Sequence, residues 1–180
     1  MLLIIDMIND LEFDDGERML KPALDAARNL KRFKQRLADN AIPTIYVNDN
    51  FGKWRSDFRQ LVDHTLHDNV RGEPVAKLLK PGEEDYFVIK TRHSGFYGTT
   101  LEILLHHLEA QTLILAGMTG DICVQFTAQD AYMRRFNLII PPDLIVCKDE
   151  ETKQTALKQL TQTCKAKTPC SDEIDLESLL

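Results

Sequence analysis

Short apolar runs recur along the chain, each followed by a stretch of helical period, and this alternation restricts the fold more than any other feature. Leu2-Leu3-Ile4-Ile5 is apolar at every position, which suits a strand buried on both faces of a parallel sheet. Residues 17–38 then carry Leu20, Leu24, Ala27, Leu30 and Leu37 at helical spacing. Asn40 ends that helix, and Pro43 opens a second strand at 44–47. A short helix is predicted near 57–67 and a brief one at 75–79, inside a connection holding Pro74, Pro81 and Gly82. The third strand is 86–89. After the loop 91–98, Thr99 and Glu102 have the spacing of a capping box for a helix ending near Glu109. The fourth strand is 112–116, and Asp121 is the expected N-cap of a helix running through Arg135. A fifth strand at 138–140, a long helix at 152–163 and a sixth short strand at 165–168 complete the pattern. Strands separated by helices predict a three-layer α/β/α fold with a mostly parallel, roughly six-stranded, Rossmann-like sheet. No repeat, low-complexity tract or linker divides the chain, so one domain is expected over residues 1–180.

The formal net charge of -6 and pI near 5.4 argue against a nucleic-acid partner, which would require a basic face. No apolar run approaches the roughly 20 residues of a membrane span. Met1 leads directly into the first strand with no basic segment before it, so no signal peptide and a cytoplasmic location are expected. In that setting Cys123, Cys147, Cys164 and Cys170 are expected to be free thiols, and the absence of a C-x-x-C pair argues against structural zinc.

In an open parallel sheet, ligands bind outside the carboxyl ends of the strands. The residues placed there are Asp6 after the first strand, Asn48-Asp49-Asn50 after the second, Lys90 after the third, and the turn Met118-Thr119-Gly120-Asp121 after the fourth. That turn leads to Cys123, at the start of a helix, where unpaired backbone N–H groups and the helix dipole favour a thiolate. The same position would suit an inert buried cysteine. An acid, a base and a thiol from three strands converging on one edge favour chemistry. Asp6 can take the thiol proton and later activate water, and Lys90 is expected to lower the thiol pKa. His93-Ser94 lacks the glycines of a serine nucleophile elbow, so Ser94 reads as a loop residue before Gly95. Phe51, Trp54, Phe58 and Phe96 gather in loops over this edge. Phe51, Trp54 and Phe96 are assigned to substrate binding, with loop packing as the alternative.

The runs LLIIDMINDLEF, VIKTRHSGFYGTTLEILL and LILAGMTGDICVQFTAQDAYMRRFNLIIPPD together resemble the isochorismatase-like cysteine hydrolase family, from Leu2 to about Asp143. That group contains nicotinamidases, carbamoyl-amino-acid amidases and isochorismatases. The resemblance places the catalytic Asp, Lys and Cys on Asp6, Lys90 and Cys123. It further implies a cis peptide between Met118 and Thr119, with an oxyanion hole made by the amides of Thr119 and Cys123.

The chain departs from that pattern in two places. Nicotinamidases bind a metal through an Asp-x-His pair after the second strand plus a further His, and here the corresponding run is Asn48-Asp49-Asn50-Phe51, without the His of that pair. His64 and His67 share a helix face downstream but read as surface histidines, so neither metal nor cofactor is expected. Leu11 stands where the family usually has Phe. Because isochorismatases proper typically lack the thiol, Cys123 favours cleavage of an amide, ureido or carbamoyl C–N bond in a small molecule, through a thioester. The alternatives are vinyl ether hydrolysis and a non-catalytic binding or regulatory protein. A homo-oligomer, dimer or tetramer, is expected from the resemblance and from the apolar loop of Phe51, Trp54 and Phe58, with the Pro141-Pro142 turn as a second contact surface.

Overall fold

The computed structural model describes residues 1–52 and 57–177. Its centre is a parallel sheet of β1 (Leu2–Ile5), β2 (Thr44–Asp49), β3 (Tyr86–Lys90), β4 (Thr112–Met118), β5 (Asn137–Ile139) and β6 (Ile145–Val146). The strand order is β3-β2-β1-β4-β5, with β6 paired to the end of β4. The chain therefore starts in the middle, builds outward through β2 and β3, and crosses back to β4 on the other side of β1. That reversal beside β1 is the switch point at which doubly wound sheets open a crevice for a ligand.

Both faces of the sheet are buried, as the apolar run of β1 requires. Leu2 and Ile4 pack with Tyr46, Ile114 and Ala116 under α1 (Gly16–Asp39), α2 (Phe58–His67) and α3 (Glu73–Leu78). Leu3 and Ile5 pack with Ile45, Val47, Leu113 and Leu115 under α4 (Leu101–His107), α5 (Cys123–Met133) and α6 (Glu150–Cys164). Helix α1 sends Met19, Ala23, Ala26, Ala27, Leu30, Phe33 and Leu37 inward, a stripe at the helical period.

Three local expectations need correction. Residues 165–168 do not form a strand; Lys167 makes one isolated bridge to Ile139. The sixth strand is instead Ile145–Val146, paired with Gly117 and Met118. Pro141 and Pro142 have no N–H to give a ladder, so the chain leaves β5, makes a 3₁₀ turn at Pro142–Leu144 and rejoins the sheet at β4. Thr99 and Glu102 do not form a capping box. The Thr99 hydroxyl donates to the Gly95 carbonyl at 2.5 Å and accepts the Leu101 amide at 3.2 Å, while Glu102 accepts from Arg134 Nε at 2.9 Å. Asp121 does not cap α5 either. The cap position is Ile122, with no side-chain hydrogen bond, so the first turn of α5 keeps its amides free of a capping side chain. By contrast α6 starts two residues earlier than its apolar pattern suggests, because Asp149 Oδ1 accepts the Thr152 amide at 2.7 Å.

Among the described residues no helix is long and apolar enough to cross a membrane.

Candidate active site

The carboxyl edge of the sheet changes character within one residue of each central strand. After β1, Asp6 turns into the left-handed region (φ +53°) while its amide still donates to the Val47 carbonyl at 3.0 Å. Its carboxylate is thereby held over the end of β2, where Oδ1 accepts the Asp49 amide at 2.7 Å. Lys90 is the last residue of β3, directly across from Asp49 in the sheet register. The long lysine side chain spans the end of β2 to reach β1. Its Nζ lies 2.8 Å from Asp6 Oδ2, 3.2 Å from Asp49 Oδ2 and 3.5 Å from Cys123 Sγ, and none of it is exposed.

Cys123 arrives from the opposite side, by way of β4. Gly117, beside Ile5 in the register, has φ +122°, and a Cβ there would meet the Ile5 carbonyl oxygen at 2.0 Å. Only glycine lets β4 press so closely on β1 at this point. The Met118–Thr119 peptide is cis, as the resemblance implied. Among the described residues, hydrogen bonds at the following turn engage the amides of Gly120, Ile122 and Val124. The buried hydroxyl of Thr119 has no hydrogen-bond partner among the described residues.

The electrostatics correct one expectation. Burial, followed by the charge of Asp6, pushes the Cys123 thiol up to about 12, and the opposing pull of Lys90 does not overcome them. Cys123 therefore rests as a thiol, not as a thiolate. Burial likewise holds the Asp6 carboxyl above its ordinary range, against the lowering by Lys90 and by a hydrogen bond from the thiol. Burial works against the Lys90 ammonium, but the charges around it, Asp6 first, raise its pKa overall. A protonated thiol hydrogen-bonded to a carboxylate of raised basicity is arranged for proton transfer on demand. The thiolate so formed would lie beside an ammonium that stays charged. Cys123 should accordingly resist thiol reagents at neutral pH, and Cys170 is the exposed thiol of the described residues.

The structure brings together Asp6, Lys90, Cys123 and the Thr119 turn, but not the aromatic residues assigned to substrate. Phe96 is buried, its ring 6.1 Å from that of Phe136 and under the Arg134 guanidinium, so it belongs to the core. Phe51 is largely exposed and is not among the cleft-lining side chains. Trp54 lies outside the described residues. Phe58, grouped with the loop aromatics over the edge, is buried at the start of α2, where a helix was expected, and stacks on Phe87 at 5.0 Å. Ser94 is a loop residue, as expected: it hydrogen-bonds to Asp130 and accepts the Phe96 amide at 3.1 Å.

A cleft of about 200 Å³ adjoins the cluster, lined by Asp49, Asn50, Asp57, Gln60, Leu61, His64 and Ile89. His64 and His67 do not face a common point: His64 Nδ1 meets Asp68 at 2.6 Å, whereas His67 Nδ1 meets Asp63 at 2.8 Å. The donors of the nicotinamidase metal pair do not fit here, because position 51 is Phe and Asp49 is turned to Lys90.

The residue that sequence reasoning missed is Asp49. It was visible as a post-strand acid, but spacing alone does not show that parallel register sets it opposite Lys90.

An isochorismatase domain profile matches residues 1–170 of the chain. The isochorismatase family protein YaaI of Bacillus subtilis (strain 168) is 36% identical over 173 residues, covering 96% of this chain and 94% of that protein. Among solved structures, N-carbamoylsarcosine amidase from Thermoplasma acidophilum superposes with a TM-score of 0.73 at 26% identity, covering 97% of each chain. An isochorismatase-like hydrolase from Alkaliphilus metalliredigens superposes with a TM-score of 0.77 at 26% identity, covering 96% of this chain and 94% of that one.

Proposed function

This chain belongs to the isochorismatase family of hydrolases, and from that premise we propose that it is a cysteine hydrolase cleaving the C–N bond of a small amide, ureide or carbamoyl compound. The observation that carries the reading is the single ammonium of Lys90, 2.8 Å from Asp6 and 3.5 Å from Cys123. Likeness to an N-carbamoylsarcosine amidase supports the same bond type.

In this reading Asp6 takes the proton of the Cys123 thiol, and the thiolate attacks the substrate carbonyl carbon. The electron pair displaced onto the carbonyl oxygen is received by the amides of Thr119 and Cys123. Collapse of the tetrahedral intermediate breaks the C–N bond, and Asp6 returns its proton to the departing nitrogen. Asp6 then removes a proton from water, whose oxygen attacks the thioester. The acid leaves, and the proton on Asp6 goes back to the sulfur. Throughout, Lys90 holds Asp6 in place and compensates the charge on sulfur.

The test is a panel of small amides, ureides and carbamoyl compounds, read by release of ammonia or amine. Cys123→Ala should lose turnover by at least about 10³-fold while keeping the fold. Vinyl ether hydrolysis that survives Cys123→Ala would contradict the thioester route and favour isochorismatase-type chemistry. The reading includes a homo-oligomer, supported by the exposed apolar side chains of Tyr97, Phe126 and Met133. Light scattering that returned the single-chain 20.6 kDa at micromolar concentration would contradict it.

A further inference from the structure

Asp49 makes more contacts with the reacting groups than a turn residue needs. Its amide donates to Asp6 Oδ1 at 2.7 Å, its Oδ2 lies 3.2 Å from Lys90 Nζ, and its Oδ1 accepts the Phe51 amide at 2.7 Å. The carboxylate is fixed at both oxygens, one by its own turn and one by the lysine. We propose that Asp49, half-buried at the cleft, is a positioning residue of this site: it fixes the buried Lys90 ammonium with a second carboxylate and leaves the cluster with one negative charge in excess. The proposal rests on the cysteine-nucleophile reading given above.

A lysine paired with Asp6 alone would neutralise it and make it a poor base. Shared between Asp6 and Asp49, the same ammonium orients Asp6 without suppressing its affinity for a proton. The charge count stays the same through the step that matters. Before proton transfer the cluster holds Asp6⁻, Lys90⁺, Asp49⁻ and a neutral thiol. Afterwards it holds neutral Asp6, Lys90⁺, Asp49⁻ and a thiolate. No net charge is created inside a buried site, where creating one is costly.

The other titratable groups in view are on α2 and the loop before it. Asp57 and His64 line the cleft with Asp49, but Asp57 Oδ1 is engaged by the Gln60 amide at 2.9 Å and His64 by Asp68 and Asp10. Among the described residues, Asp6 and Asp49 are the carboxylates paired with Lys90.

Asp49→Asn separates the two functions of the side chain, because its amide oxygen can still accept the Phe51 N–H while the charge is gone. Alkylation of Cys123 by iodoacetamide, followed across pH by peptide mapping, reads the charge without any substrate. The variant should bring the thiolate out at lower pH, speeding alkylation at pH 8 by roughly tenfold. Turnover should fall through kcat with KM little changed, because Asp6 has become a weaker base, and Asp49→Glu should restore both. A role confined to the turn would lower the melting temperature and leave the alkylation profile where it is, and that result overturns the proposal. If Asp49→Asn does not fold, Asp49→Ser, whose hydroxyl can still accept the Phe51 N–H, is read in the same way: quickened alkylation at pH 8 supports the charge role, and a wild-type profile refutes it. Should alkylation respond as stated while the wild type cleaves no member of the amide panel, the amidase reading fails and the positioning role stands.

Discussion

Within six residues of its start the chain passes from a strand with four fully buried apolar side chains, Leu2 to Ile5, to a carboxylate that is also almost wholly buried, Asp6. The two regions share a strand and a degree of burial but are held by different physics. In the strand body, stabilisation grows with apolar area removed from water and depends on close packing, which tolerates exchange among residues of similar volume. At the strand end, Asp6 and Lys90 are tolerable inside the protein only as a pair, each charge offsetting the desolvation of the other, with the half-buried Asp49 beside them. A change in the body should therefore weaken the protein without altering its chemistry. A change at the end should alter both.

Lys90→Met is the severest way to test that contrast. It keeps volume but leaves the buried carboxylate of Asp6 without its cation, an arrangement that typically costs about 3–5 kcal/mol. Thermal unfolding should shift down by about 10 °C at pH 7, with turnover lost. The sign of the pH dependence follows from Asp6. Its folded pKa lies above the unfolded 3.8, so ionisation is penalised only in the folded state. The penalty is absent below the unfolded value and grows as pH rises through the folded one. Removing Lys90 raises the folded value further, so the deficit should nearly vanish near pH 4 and widen toward neutrality. A deficit independent of pH would show that packing around the lysine stem, not charge, holds the edge together.

Leu3→Ala probes the other side of the comparison. Leu3 is fully buried between β1 and the α4–α6 face, so the cavity should cost about 2–5 kcal/mol in urea unfolding. The pH profile of Cys123 alkylation in this variant should overlay that of the wild type. A shifted profile would mean that the strand body and the charged edge are coupled. The smallest effect belongs to a region remote from both. Asp149→Ala removes the cap of α6 and should lower the melting temperature slightly, leaving turnover unchanged.

The same contrast explains what could be read before any coordinates. Strand bodies were legible because apolar runs such as Leu2-Leu3-Ile4-Ile5 and the stripe of α1 report burial directly through their period. Asp6, Lys90 and Cys123 were legible because the ends of parallel strands share one edge, so position alone brings them together. Phe96 was misplaced because an aromatic in a loop has no period to show which way it faces, and it turns in under Arg134; Phe58 opens the helix expected near 57–67 but turns into the core, not toward the site edge. Asp121 looked like a cap, yet the turn that delivers Cys123 puts Ile122 at the cap position and leaves the first turn without one. The state of the thiol was hidden most deeply. Its pKa depends on burial and on Asp6 beside it, and both are set by tertiary contacts that no local motif records.

The central claim is that Asp6 is the base for a thiol that rests protonated, and the pH dependence of Cys123 alkylation in the wild type and in Asp6→Asn tests it most directly. In the wild type, alkylation should stay slow at pH 7 and rise only in strongly alkaline solution, since the thiol is pushed up to about 12. Asp6→Asn removes both the adjacent negative charge and the acceptor of the thiol proton. Its thiolate should appear at lower pH and its alkylation should quicken, even as amide turnover collapses. A wild-type Cys123 that titrates near neutrality, with a profile that Asp6→Asn leaves unmoved, would contradict the account.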